Sequence, residues 1–233
     1  MIKSITFYFL LYVWTIFLGL ICIPYLLLPK EKLYKPTYLW IKGIFFLLDK
    51  ICNLTHTIKG IENISNINDK IVASKHQSTF ETLLLFTIFP KAMFIHKREL
   101  FFIPIFGFYL KKISMISIDR SGKFKTLKKM IDKSKFKVSK GHTLIIFPEG
   151  TRKKPGSVPD YKSGVAGIYK ELNSDVIPVA LNSGLFWPKN SLVIKPGKII
   201  IEFLPIIEKG LDKKIFIKKL EETIESKTKL LIS

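Results

Sequence analysis

Ile71-Val72-Ala73-Ser74-Lys75-His76-Gln77-Ser78-Thr79-Phe80-Glu81-Thr82 changes character half-way along. Ile71 to Ser74 is short and apolar and predicts a strand, while Thr79 to Phe89 predicts a helix that stops before Pro90. His76 falls in the polar turn between them. A strand feeding a helix through such a turn is the unit from which parallel sheets are assembled.

The same alternation continues downstream. Ala92 to Ile95, Ser114 to Ile118, Thr143 to Phe147, Val176 to Leu181 and Lys198 to Phe203 predict strands. Glu99 to Leu110, Lys123 to Lys140, Ser163 to Leu172 and Ile215 to Leu231 predict helices, with Phe124, Leu127, Ile131 and Val138 as the apolar side of the second. The expected fold class is α/β: a single mixed, largely parallel sheet flanked by helices. His76, Arg120 and Glu149 then all follow strand C-terminal ends, the edge where ligand sites collect.

At 233 residues and 48% hydrophobic, the chain suffices for one well-buried domain with an N-terminal appendage, and disorder is excluded. The net charge of +20, from 38 Lys and Arg against 18 Asp and Glu, favours an anionic partner: nucleic acid, an acidic lipid surface or a phosphorylated substrate. Lys91 to Lys140 alone carries a net +11. The basic residues include only three arginines, Arg98, Arg120 and Arg152, whose planar guanidinium suits bidentate phosphate binding. Cys22 and Cys52 have neither metal-ligand nor disulfide spacing, which suits a reducing setting.

Ile5 to Leu28 is 24 residues without a charge, about 36 Å as a helix and enough for a bilayer core of ~30 Å. It contains no alanine and no small-residue cleavage site, so it reads as an uncleaved anchor. Pro24 leaves two arrangements open: a spanning helix, or a membrane-embedded hairpin with a second helix near Tyr38 to Leu48. Lys30 and Lys32 after the segment, against Lys3 before it, place the rest of the chain on the cytoplasmic side. Residues 1–52 are thus the expected anchoring segment and 53–233 the catalytic domain.

His76 and Glu81 are five positions apart. On one helix that spacing turns the side chain by about 140° net, so the two cannot face each other mid-helix. His76 must sit in the turn, with Glu81 on the first helical turn reaching back, an arrangement fit for a general base held by a carboxylate. Phe147-Pro148-Glu149-Gly150-Thr151-Arg152 follows a strand, and Gly150 admits a positive φ or a close backbone approach. Amides of such a turn, with Arg152, make an anion cradle in which Glu149 is available to orient Arg152 or a substrate hydroxyl.

Lys75 to Glu81 resembles the histidine-x4-acid motif of the glycerophospholipid acyltransferase family. Lys97-Arg98-Glu99-Leu100-Phe101-Phe102-Ile103-Pro104-Ile105-Phe106-Gly107 resembles its second block, and Ile116-Ser117-Ile118-Asp119-Arg120 a short strand ending in arginine. Phe147 to Arg152 matches the third block, and Val176-Ile177-Pro178-Val179-Ala180 resembles the fourth. The likeness runs from Ile71 to Ser183, with one departure: the family usually has aspartate where this chain has Glu81. A side chain one methylene longer needs a folded rotamer or a more distant helix, and it leaves the lysolipid acceptor open.

The resemblance implies acyl transfer from acyl-CoA or acyl-carrier protein to the free hydroxyl of 1-acylglycerol 3-phosphate, giving phosphatidate. It implies His76 as base and Glu81 as its partner, and Lys97 and Gly150 at the oxyanion. Arg120, Glu149, Gly150, Thr151 and Arg152 would lie at the acceptor phosphate. An inner-membrane location, with the catalytic domain on the cytoplasmic face, follows from the same likeness and the anchor. Lyso-ornithine lipid and glycerol 3-phosphate are the alternative acceptors. A membrane-tethered nucleic-acid-binding module is the rival from another class. It is disfavoured because aromatic residues cluster in apolar runs instead of interleaving with lysines, so no nucleic-acid partner is expected. The chain lacks G-x-S-x-G, G-x-x-x-x-G-K-[ST] and G-x-G-x-x-G, and His56, His96 and His142 lack metal spacing. Neither metal nor cofactor is therefore expected, the thioester being a substrate.

Overall fold

The computed structural model describes residues 1–64, 71–89, 91–97, 102, 106–113, 115–118 and 123–233. Among the described residues there are seven strands, β1 (Leu54–Lys59), β2 (Ile71–Ser74), β3 (Met93–Lys97), β4 (Ile116–Ile118), β5 (Leu144–Ile146), β6 (Val176–Leu181) and β7 (Gly197–Phe203). They form one sheet in the order β1-β7-β6-β2-β5-β3-β4. All pairings are parallel except β6 with β7, so the sheet is mixed and largely parallel, as the alternation predicts.

The central strands are apolar on both faces, as covering helices require. Val72, Ile145, Ile177 and Val179 point into one core and Ile71, Ala73, Leu144 and Val176 into the other. The first core is closed by α1 (Ile2–Ile21), α2 (Tyr34–Cys52) and α3 (Phe80–Ile88). The second is closed by α5 (Lys123–Val138), α6 (Ser163–Leu172) and α7 (Lys213–Ile232), and α4 (Phe106–Lys112) follows β3. Asn53 and Asn173 end α2 and α6 in the left-handed conformation that asparagine tolerates, and the Asp212 carboxylate accepts from Lys214 N to start α7.

Two expectations are adjusted here. β1 was not anticipated: Leu54-Thr55-His56-Thr57-Ile58-Lys59 is an edge strand paired only with β7, and its alternation is weak. The helix expected over Glu99 to Leu110 is described only from Phe106, where it runs on to Lys112. Of the apolar side expected for α5, Ile131 and Val138 pack into the second core, and the side chains of Phe124 and Leu127 lie outside the described residues.

In the N-terminal segment the two helices fold back on each other. α1 and α2 form a hairpin through two short 3₁₀ turns, Ile23–Leu26 and Lys30–Leu33, with Pro24 in the first. Trp14 Nε1 donates to Trp40 O at 3.0 Å, Trp40 Nε1 to Thr15 Oγ1 at 3.0 Å, and Trp14 lies where Gly43 has no side chain. α1 is docked at both ends: Ile194 N donates to Ser4 Oγ, Trp187 Nε1 to Tyr8 OH, and Tyr109 OH to Gly19 O. Phe7, Ile41, Ile44 and Leu48 belong to the same core as the sheet. The opposite face of α1 leaves Ile5, Phe9, Tyr12, Ile16, Phe17 and Leu20 exposed. By length and composition Ile2–Ile21 is apolar enough to cross a membrane.

Candidate active site

The turn after β2 carries His76 to the sheet's C-terminal edge, and α3 starts at Phe80, placing Glu81 on its first turn. Glu81 reaches back: its Oε1 accepts from Gln77 N and Ser78 N at 2.7 Å each, and lies 2.8 Å from His76 Nδ1. Amides ahead of a helix N-terminus favour a negative charge, so the local fold holds the carboxylate before any ligand arrives. Because a carboxylate only accepts, Nδ1 carries the proton and Nε2 keeps its lone pair. Glu81 is fully buried, while the His76 side chain is 16% exposed and so accessible to a substrate.

Phe147, at the exit of β5, stacks on the imidazole with ring centroids 3.8 Å apart and planes 12° apart, fixing the ring's orientation. The two motif blocks are also joined through the backbone, since Lys153 N donates to His76 O at 2.8 Å. Arg152 Nη1 donates to Thr79 Oγ1 at 3.0 Å, which brings the guanidinium to the start of α3. Lys189 Nζ donates to Thr151 Oγ1 at 3.2 Å. His76, Glu81, Thr151 and Arg152 are therefore gathered at one edge.

Gly150 has φ +65°, and a Cβ there would meet nothing closer than Lys162 Cγ at 4.0 Å, so conformation and not space calls for glycine. Its amide is not free for a ligand, however: Gly150 N donates to Phe147 O at 2.8 Å and closes the turn. Glu149 is also placed elsewhere than expected. It is 1% exposed and accepts from Lys75 Nζ at 3.0 Å, away from Arg152. Lys75, itself 2% exposed, also donates to Glu225 of α7 at 2.7 Å, and Tyr161 OH donates to the same Glu225 oxygen. Burial pushes the Glu149 carboxyl up against the opposing pull of Lys75, and burial followed by Glu225 pushes the Tyr161 hydroxyl well above its ordinary range. Lys97 ends β3 on the same sheet edge; Arg98 and Arg120 lie outside the described residues.

Beneath the edge lies an apolar cavity of about 190 Å³, lined by Leu18, Trp40, Leu83, Phe86, Phe94 and Ile113 among others. An apolar cavity of ~150 Å³ already accommodates benzene, so a segment of hydrocarbon chain has room here. Phe94 also stacks on Phe147, leaving the cavity two rings from the imidazole. Sequence reading missed Lys75, Lys189, Thr79 and Phe147 as parts of the site. Lys75 and Thr79, beside and just after His76, and Phe147, opening the second motif turn, had a positional signal; Lys189 had none.

The family model described as Acyltransferase matches residues 55–182, which hold the histidine turn, the Phe147–Arg152 turn and β6. The chain belongs to the acyltransferase family. Among its relatives is the 1-acyl-sn-glycerol-3-phosphate acyltransferase of Pseudomonas aeruginosa, 32% identical over 166 residues, which are 71% of this chain and 64% of that protein. The enzyme of the same name from Cocos nucifera is 32% identical over 154 residues, 65% of this chain and 49% of that protein. The matched stretch thus spans 64% and 49% of these two relatives, less than two thirds of either. The crystal structure of the 1-acyl-sn-glycerophosphate (LPA) acyltransferase PlsC from Thermotoga maritima shares the fold, with a TM-score of 0.79 at 24% identity, covering 99% of this chain and 96% of that one. In this chain, Glu81 occupies the acidic position with its contact to the imidazole intact.

Proposed function

We propose that this acyltransferase moves an acyl group from a thioester, acyl-CoA or acyl-carrier protein, to the free hydroxyl of 1-acylglycerol 3-phosphate, forming phosphatidate. The observation that carries this reading is the His76 Nδ1 contact with buried Glu81, which leaves Nε2 to take a proton beside the Arg152 turn. The names of the relatives support the choice of acceptor.

In the reaction, His76 Nε2 takes the acceptor hydroxyl proton as the oxygen attacks the thioester carbonyl, and Glu81 stabilises the resulting imidazolium. The tetrahedral intermediate collapses by breaking the C–S bond, and the departing thiolate takes the proton back from Nε2. No acyl-enzyme forms, because the acceptor is the nucleophile. Lys97 supplies positive charge to the oxyanion, and Arg152, Thr151 and Lys189 hold the phosphate, with Arg120 joining them. The acyl chain occupies the apolar cavity. The decisive experiment is mass spectrometry of lipids made from thioesters of graded chain length and a mixture of lysolipids. Phosphatidate as the dominant product, with a cut-off in chain length, is expected; a dominant product from lyso-ornithine lipid or glycerol 3-phosphate would replace the acceptor.

Arg152→Ala is expected to raise KM for lysophosphatidate by about tenfold or more, the loss of a charge-assisted contact of ~1.5–3 kcal/mol, with a smaller change in kcat. Unaltered acceptor kinetics would remove Arg152 from the phosphate site.

The exposed apolar face of α1 lies in the cytoplasmic leaflet of the inner membrane, where acceptor and product reside, and exposed lysines such as Lys128 and Lys129 add attraction to anionic headgroups. Flotation with vesicles containing anionic lipid should persist at high salt through the hairpin but weaken as salt rises. Binding indifferent to salt would dismiss the electrostatic part.

A further inference from the structure

We propose that Ser183 is a positioning residue for the proton-transfer pair, matched to the glutamate this chain carries; the inference rests on the reading of His76 and Glu81 as base and partner. Ser183 opens the short 3₁₀ turn just past β6, the strand next to β2, and is fully buried, as is Glu81. Its hydroxyl donates to Glu81 Oε2 at 2.7 Å, the oxygen that His76 does not use. Glu81 thus accepts four hydrogen bonds: three at Oε1, from His76 and two amides of its own turn, and one at Oε2 from the turn after β6.

The three Oε1 bonds hold one oxygen of the carboxylate. Among the described residues Ser183 is the donor at the second oxygen, and it fixes the plane of the carboxylate. The same turn is fitted to the histidine loop in a second way: Gly184 N donates to Gln77 Oε1 at 3.1 Å, and a Cβ on Gly184 would collide with Gln77 and Pro155. The exit of β6 is therefore shaped around the loop that bears His76. The length of the glutamate side chain lets its second oxygen reach that turn.

A charge argument gives the expected signature. The pair carries one negative charge when the imidazole is neutral and none once it is protonated. A hydroxyl with its hydrogen toward the carboxylate favours the first state, which is the one able to act as base. Among the described residues, Arg152 and Lys153 on the turn after β5, Lys189 beside Thr151, and Lys75 with Glu149 and Glu225 are charged groups of the same region, with Lys97 at the end of β3. They stay in place in a Ser183 variant and set where the profile starts, not how far it moves.

The test is kcat/KM against pH, from roughly pH 5 to 9, for the native protein and for Ser183→Ala, Ser183→Cys, Glu81→Asp, Glu81→Asp with Ser183→Ala, and His76→Ala, each with a thermal melt. Ser183→Ala is expected to lose about tenfold at neutral pH, and its acid limb should move up by about half a unit or more. Ser183→Cys keeps the shape with a weaker donor and should fall between Ala and the native protein, which decides the matter if the alanine variant folds poorly. Glu81→Asp, held to His76, no longer reaches Ser183, so adding Ser183→Ala there should change the rate by less than about twofold. A Ser183→Ala protein with native rate and acid limb, or one losing as much in the Glu81→Asp background, overturns the proposal. Full activity in His76→Ala would instead overturn the reading of the pair itself.

Discussion

Replacing His76 by alanine should lower kcat for acyl transfer by a factor of about 10² to 10⁴, equivalent to roughly 3–5 kcal/mol of barrier. The fold should tolerate the change. Glu81 keeps Gln77 N, Ser78 N and Ser183 Oγ as donors, so no buried carboxylate is left bare. The main structural loss is one face of the Phe147 ring, at a site already partly open to solvent. Turnover should therefore fall while the melting temperature and vesicle binding stay close to native. Residual binding of both substrates would leave some catalysis over water. A variant that turns over thioester and lysolipid at the native rate would dismiss His76 as the base.

The second large effect concerns stability and should come from Lys75. Lys75→Met removes the cation between Glu149 and Glu225 and keeps most of the side-chain volume. Breaking a buried ion pair from one side costs about 3–5 kcal/mol, because the remaining charge is left without compensation. At this chain length that corresponds to a fall in melting temperature on the order of 10 °C.

The pH dependence identifies the cause. Burial already raises the Glu149 carboxyl above its ordinary range, and Lys75 works against that rise. A carboxyl raised by folding is best tolerated protonated, so its contribution is intact below the unfolded value, near pH 4.3, and is lost as pH climbs through the folded value. Without Lys75 the folded value climbs further. The deficit of Lys75→Met relative to the native protein should thus grow from about pH 5 to pH 8 and shrink again on acidification. A deficit below about 1 kcal/mol, or one flat across that range, would show that the cluster does not hold the histidine turn to α7.

Much of this molecule can be read in one dimension. The β2–His76–α3 unit, the downstream strands and the long helices announce themselves because their apolar residues recur at short range, and short-range spacing survives folding. The geometry of Glu81 is legible for the same reason: five positions from His76, it reaches the ring only from the first turn of a helix. β1 escapes because an edge strand needs few apolar residues. That α1 folds back on α2 could not be read locally, because Pro24 permits the bend without requiring it. What selects it is Tyr8 against Trp187, Ser4 against Ile194 and Gly19 against Tyr109, partners 90 to 190 positions apart.

The same division runs through the site. Which chemistry is available, an imidazole with a nearby carboxylate and a turn rich in positive charge, is written locally in residues 75–81 and 147–152. Which way each group faces is not. Glu149 sits three residues from Arg152 yet turns inward to Lys75, and the Gly150 amide closes its own turn. Ser183, more than 100 positions from Glu81, fixes the carboxylate's second oxygen. Spacing along a chain constrains neighbours within a helical turn, whereas a buried polar atom takes whatever partner packing brings to it from another strand, and that partner is set only when the sheet has closed.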